Sequence, residues 1–155
     1  MRHLIFVFAG VFLAACATPS GPTKQGAEEF LWAYTEAWNE HDTDKLGSEF
    51  WQTTDSVETE TERLEAMFAQ ITADGYDRST IHSILVCLGG EDMAVADMRF
   101  TRYLTSGEVM GPDMRASKYL LDWEEARGWR IRGVFGGDVN APVACDLTLF
   151  PPMSE

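Results

Sequence analysis

Residues 30–50 read FLWAYTEAWNEHDTDKLGSEF. Phe30, Leu31, Tyr34 and Trp38 recur at helical spacing, and Glu28, Glu29, Glu36 and Glu40 lie largely elsewhere on the wheel. That pattern predicts an amphipathic helix beginning near Ala27. Asp42 is a good N-cap for a second short helix through Leu46 to Phe50, with Asp44 in its first turn, where a negative charge is stabilised. A polar stretch, Thr53 to Thr61, follows. Thr59 and Glu62 have capping-box spacing. Leu64, Met67, Phe68 and Ile71 then define a third helix, which should end near Gly75.

Beyond Arg78 the period changes. Thr80 to Leu88 is β-branched and apolar, and Gly89-Gly90 closes it. Met93 to Leu104 predicts a second long strand, and Ser106-Gly107 is a hairpin signal. Glu108 to Trp123 predicts a third, bent or bulged at Gly111-Pro112, because proline breaks a ladder. Arg127-Gly128 turns it into a fourth, Trp129 to Phe135. Val139 to Glu155, with three prolines, predicts an irregular tail. Three helices followed by four meandering strands is an α+β order. The helices should pack on one face of a curved, mainly antiparallel four-stranded sheet, with the domain spanning 27–138 and the tail 139–155.

The beginning of the chain carries a different signal. Arg2 and His3 precede an uncharged apolar run, Leu4 to Ala15. Its twelve residues are too few for a spanning helix, which needs about 20, and fit the apolar region of a secretory signal. Leu13-Ala14-Ala15-Cys16 resembles a lipobox, the pattern read by lipoprotein signal peptidase. The resemblance implies that residues 1–15 are removed and that Cys16 is lipidated. Residues 16–26, rich in Thr, Pro, Ser and Gly, would be a flexible tether. Ala17 after the cysteine favours the outer membrane, facing the periplasm, by resemblance to enterobacterial lipoproteins. An exported chain meets oxidising conditions, so Cys87 and Cys145 could pair, or stay as two separately buried thiols.

Net charge is −13. Residues 28–77 hold 14 acidic and two basic residues, and 78–155 hold 11 and eight. Such an acidic half argues against nucleic acid as a partner, since phosphates need a basic surface, and against lying flat on anionic lipid. It reads as a solubilising face or as a site for a cationic partner.

The stretch 30–50 also resembles the opening helices of the nuclear transport factor 2 superfamily, which includes SnoaL-like proteins and ketosteroid isomerases. The resemblance rests on an aromatic in the first helix and an Asn and an Asp before the second, here Tyr34, Asn39 and Asp42. Gly128-Trp129-Arg130-Ile131 resembles the last strand, and the Ser106-Gly107 hairpin and Tyr119-Leu120-Leu121 stand in the expected order. The resemblance covers roughly 27–136. It implies a cystatin-like cone, a sheet wrapped around a long helix with an apolar pocket at the open end, and a possible homodimer through the outer sheet face.

The isomerase branch moves a proton beside a carbonyl, which needs a carboxylate base and two donors for the developing oxyanion. Tyr34 matches one donor. The base position falls on Glu58, or on Thr59 with a slip of one residue. The position of the second donor falls near Tyr119, or on Leu120 or Leu121 under other gaps; Asp122 is reachable only by a larger shift, and alternation would turn it away from Tyr119, so the set is incomplete. Pocket-lining candidates are Tyr34, Trp38, Trp51, Arg99, Tyr119 and Trp123. Asp97, Arg99, Thr101 and Tyr103 share one strand face, which is a polar cavity wall, an exposed face or a dimer face. An Arg inside a pocket would suit an acidic ligand. His41 and His82 offer no metal-ligand spacing, and no nucleophile elbow or phosphate loop is present. No cofactor is expected. The leading expectation is a non-catalytic, membrane-anchored domain binding a small apolar or amphipathic molecule or a protein partner. An isomerase or cyclase and an envelope-assembly module are the alternatives.

Overall fold

The computed structural model describes residues 21–149; Cys16 and the rest of 1–20 lie outside them. The first helix, α1, is Lys24–Glu40. Thr23 caps it, its Oγ1 accepting from the Gly26 amide at 3.0 Å, so helix replaces the last residues of the expected tether. Ala27, Leu31, Tyr34 and Ala37 form its buried stripe. His41 ends it at φ 57°, with Asp42 N donating to Ala37 O at 3.1 Å, a left-handed closing turn of the kind that satisfies last-turn carbonyls.

Asp42 caps the short α2, Thr43–Lys45, accepting from Lys45 N at 3.0 Å. This helix widens into a π-turn, Leu46–Phe50, closed by Trp51 N donating to Leu46 O at 3.2 Å. The third helix, α3, is Val57–Ala73. Its cap is Ser56, whose Oγ accepts from Thr59 N at 3.2 Å. The expected Thr59–Glu62 capping box is therefore not the start of the helix: Thr59 lies inside its first turn.

Four strands follow: β1 Tyr76–Leu88, β2 Met93–Leu104, β3 Arg115–Glu124 and β4 Gly128–Gly136. They form one antiparallel sheet in the order β1-β2-β3-β4. The strand β3 begins later than expected. Residues between Thr105 and Met114 make a turn-rich loop with a single bridge, Tyr103 to Val109. The helices cover one face of the curved sheet, an α+β cone. Asn39 fastens α1 to β1 by imitating a strand: its side-chain amide donates to Ser79 O at 2.9 Å and accepts from Ser79 N at 2.8 Å.

Side chains on the inner face of β2 are small at one end and large at the other. Ala94 and Ala96 sit in the core, and Met98 and Phe100 follow in the same phase. Small residues let the helical layer approach closely. The outer face of the same strand is covered by the C-terminal tail. Cys87 and Cys145 form a disulfide with Cα atoms 6.0 Å apart. Gly137 N donates to Ala116 O at 3.0 Å, and a short 3-10 turn, Leu147–Leu149, ends the described residues.

Candidate functional site

A cavity of about 290 Å³ lies between the helices and the sheet. Helix α1 contributes Tyr34, Thr35 and Trp38, and α3 contributes Arg63 and Met67. Each helix presents residues four apart, which share a face. Trp51, just after the π-turn, forms another wall. Its segment adds to the edge of β4, with Gln52 N donating to Ile131 O at 2.9 Å. The sheet supplies Met98, Phe100 and Arg102 from β2 and Ser117 and Tyr119 from β3. Ser79, Ile81 and Val134 complete the lining.

The aromatic walls are locked edge to face. Tyr34 meets Tyr119 at 5.8 Å and 71°, and Phe50 at 5.8 Å and 63°. Such contacts are favoured by the ring quadrupoles. Trp38 Nε1 donates to Tyr76 Oη at 2.8 Å. Burial pushes the Tyr34 phenol well above its ordinary value, reinforced by Tyr119 and opposed by Arg102 and Arg63. Burial likewise pushes Tyr119 up to about 12, against a hydrogen bond with Tyr34 and the charge of Arg102. Both phenols are thus neutral at physiological pH.

Arg63 stacks on Trp51, 4.7 Å from the ring centroid, and is paired with Glu60 through Nε at 3.1 and 3.2 Å. Arg102 lies among Tyr76, Phe100 and Trp38 rings at 5.4, 5.7 and 6.0 Å. Among the described residues it has no carboxylate partner, and its Nε is buried without a hydrogen bond. No Asp, Glu or His among the described residues lines the cavity.

Tyr34, Trp38, Trp51 and Tyr119, among the residues singled out in the sequence, line this cavity. Three others lie elsewhere. Arg99 is on the opposite face of β2, because strand alternation sends 97, 99 and 101 outward when 98, 100 and 102 point inward. There it is buried beneath the tail: Nη1 donates to Asp138 O at 2.8 Å and Nη2 to Ala141 O at 3.2 Å. Asp97 pairs with it at 3.0 Å and accepts in turn from Lys118 Nζ at 2.8 Å. The polar strand face is thus neither a cavity wall nor open. Trp123 shares the inner phase of Tyr119 but lies four residues further along, against Trp129 at 5.4 Å and 75°. Glu58 is exposed on the first turn of α3, outside the lining. Hydrogen bonds from its own backbone amide and from Ser56 hold its carboxyl below the usual range, the reverse of what a buried general base requires. Arg63, Met67 and Arg102 were missed. Arg102 had a signal, since it continues the apolar phase of Ala94, Ala96, Met98 and Phe100.

No protein-family model matches the chain, and no curated protein sequence matches it significantly. Solved structures do resemble it. A domain of unknown function with a cystatin-like fold from Nostoc punctiforme PCC 73102 superposes with a TM-score of 0.56 at 16% identity, covering 72% of this chain and 74% of that one. Aln2 from a Streptomyces species gives 0.54 at 13% identity, over 73% and 90%. An NTF-2-like protein of unknown function from Shewanella oneidensis MR-1 gives 0.53 at 15%, over 71% and 94%. The molecule therefore has the cystatin-like, NTF2-like cone fold. At these identities the likeness defines architecture and leaves function to the site.

Proposed function

We propose that this protein is a lipid-anchored envelope protein of the outer membrane whose cone domain is a binding module, without catalysis, for a small apolar or amphipathic molecule. The observation that carries this reading is the cavity: largely apolar and aromatic, furnished with phenol and guanidinium donors, and lined by no carboxylate or imidazole among the described residues. A few convergent polar groups in an apolar concavity are the usual form of a small-molecule site. The Cys87–Cys145 disulfide supports an exported chain. Cys16 in its lipobox context supports anchoring; two or more acyl chains hold a domain stably at a membrane where one does not.

The Tyr34–Tyr119 pair favours a second reading, an isomerase or cyclase with two phenols at an oxyanion. That chemistry needs a base within hydrogen-bond reach of the abstracted proton, and the described lining supplies none. Two measurements test the first reading. An alkyne-tagged palmitate fed to cells expressing the full chain should label it, and Cys16→Ser should lose both the label and membrane fractionation; unchanged fractionation would reject the anchor. Filling the cavity with Ser117→Trp should abolish binding of an environment-sensitive apolar dye while the fold, followed by circular dichroism, persists. Unaltered dye binding would reject the pocket.

A further inference from the structure

Charge in the cavity wall is not balanced. Arg63 is neutralised within its own helix by Glu60. Arg102 is not: it enters the cavity from β2, and no described carboxylate pairs with it. Its aromatic neighbours, within 6.0 Å, face the cation with their π-electrons. Among the described residues no acceptor meets this guanidinium, and its Nε is buried without a hydrogen bond. Trp51 Nε1, also in the lining, is a second buried donor with no partner among the described residues. Arg115 adds to the imbalance. It sits opposite Phe100 in the β2–β3 register, and burial together with the charge of Arg102 holds its guanidinium below the ordinary range. Its Nη2 donates to a neutral carbonyl, Met110 O, at 3.0 Å. Buried donors normally find acceptors, and a guanidinium fork matches the two oxygens of a carboxylate.

We infer that the cavity takes a small amphipathic acid. A carboxylate sits at the Arg102 guanidinium within reach of the Tyr34 and Tyr119 phenols, and an apolar body lies against Met67, Met98 and Phe100. The proposal rests on the binding reading above and names the class of ligand. A cationic ligand is opposed by the charge already present, and the faces of Trp38, Phe100 and Trp51 are already taken by Arg102 and Arg63. A neutral one leaves that charge unmet. The chain's overall charge of −13 repels an acid at long range, but screening confines that effect to about 8 Å at physiological salt, so recognition is local. The size of the cavity, about 290 Å³, limits the body to one or two rings or a short acyl chain, at the small end of ligand pockets.

Isothermal titration of the full chain with 2-naphthoate and with 2-naphthamide, which share a ring system and shape, decides the matter. The acid is expected to bind at least tenfold more tightly than the amide. In Arg102→Gln the gap should fall below threefold, and in Arg78→Gln, altered at an exposed ion pair, it should persist. Naphthoate should also shift the indole N–H resonance of Trp51, assigned by its loss in Trp51→Phe. Equal affinity of acid and amide for the unmodified chain overturns the acid proposal and leaves the binding reading standing, whether or not Arg102→Gln folds. Saturable binding of neither compound, by a chain shown folded by its thermal transition, overturns both.

Discussion

Tyr34 and Tyr119 show how one residue type acquires a role from its surroundings. Each is buried, and burial of a phenol penalises its ionised form. Their folded-state values therefore lie above the value near 10 of an unfolded chain. Below pH 10 both states hold these protons and the contribution to stability is complete. As pH rises from 10 towards 12 the unfolded chain ionises first, so stability falls, by up to about 1.4 kcal/mol per pH unit for each phenol. Urea unfolding between pH 9 and 12 should show this loss, and Tyr119→Phe should flatten the slope. An unaltered slope would mean that Tyr119 is not held neutral by the fold. Asn39 makes a related point. A polar residue near a helix end looks like a cap, but its amide pairs with both backbone groups of Ser79 on another element.

At the scale of elements, the π-turn of Leu46–Phe50 sets the position of Trp51 and thereby one cavity wall. Its Gly47 lies tight against α3: a Cβ added there would lie 2.6 Å from Thr61 Oγ1 and 3.2 Å from the Thr61 amide nitrogen. The backbone of α3 cannot yield as a flexible side chain could. Gly47→Ala is expected to cost about 1–3 kcal/mol, the usual range for overpacking, despite the better helix propensity of alanine. Chemical denaturation checks the sign: a stabilised Gly47→Ala would mean that the turn and α3 are not in tight contact.

The tail joins the molecule as a whole. It lies across the outer face of β2 and β3, tied by the disulfide and by the buried Asp97–Arg99–Lys118 cluster. Asp97→Asn strands Arg99, which is 5% exposed, and should cost about 3–5 kcal/mol. Cys87→Ser with Cys145→Ser opens a loop of 58 residues and should cost roughly 4 kcal/mol in the chain-entropy model. Since both changes release the same tail, their combined effect in equilibrium unfolding should be less than the sum; strict additivity would show two independent attachments. The covered face is also the one through which a homodimer was expected. With the tail in place the full chain should sediment as a monomer, and a dimer that persists in that experiment would require a different interface.

The sequence by itself determined the period of each element, the Asp42 cap, the bounds of β2 and the order of helices and strands that makes an α+β cone. It also placed Tyr34, Trp38, Trp51 and Tyr119 as pocket residues, and the reading of Cys16 rests on it alone. These are local properties: helical spacing, alternation and caps are written in neighbouring residues. What only the tertiary structure decided is which arginine faces the cavity. All positions from Ala94 to Thr101 are buried, because helices cover one face of β2 and the tail covers the other. Alternation puts Arg99 on the polar phase and Arg102 on the apolar one, but a strand enclosed on both sides buries both, so which phase faces the cavity is settled only when the tail and the helices are in place.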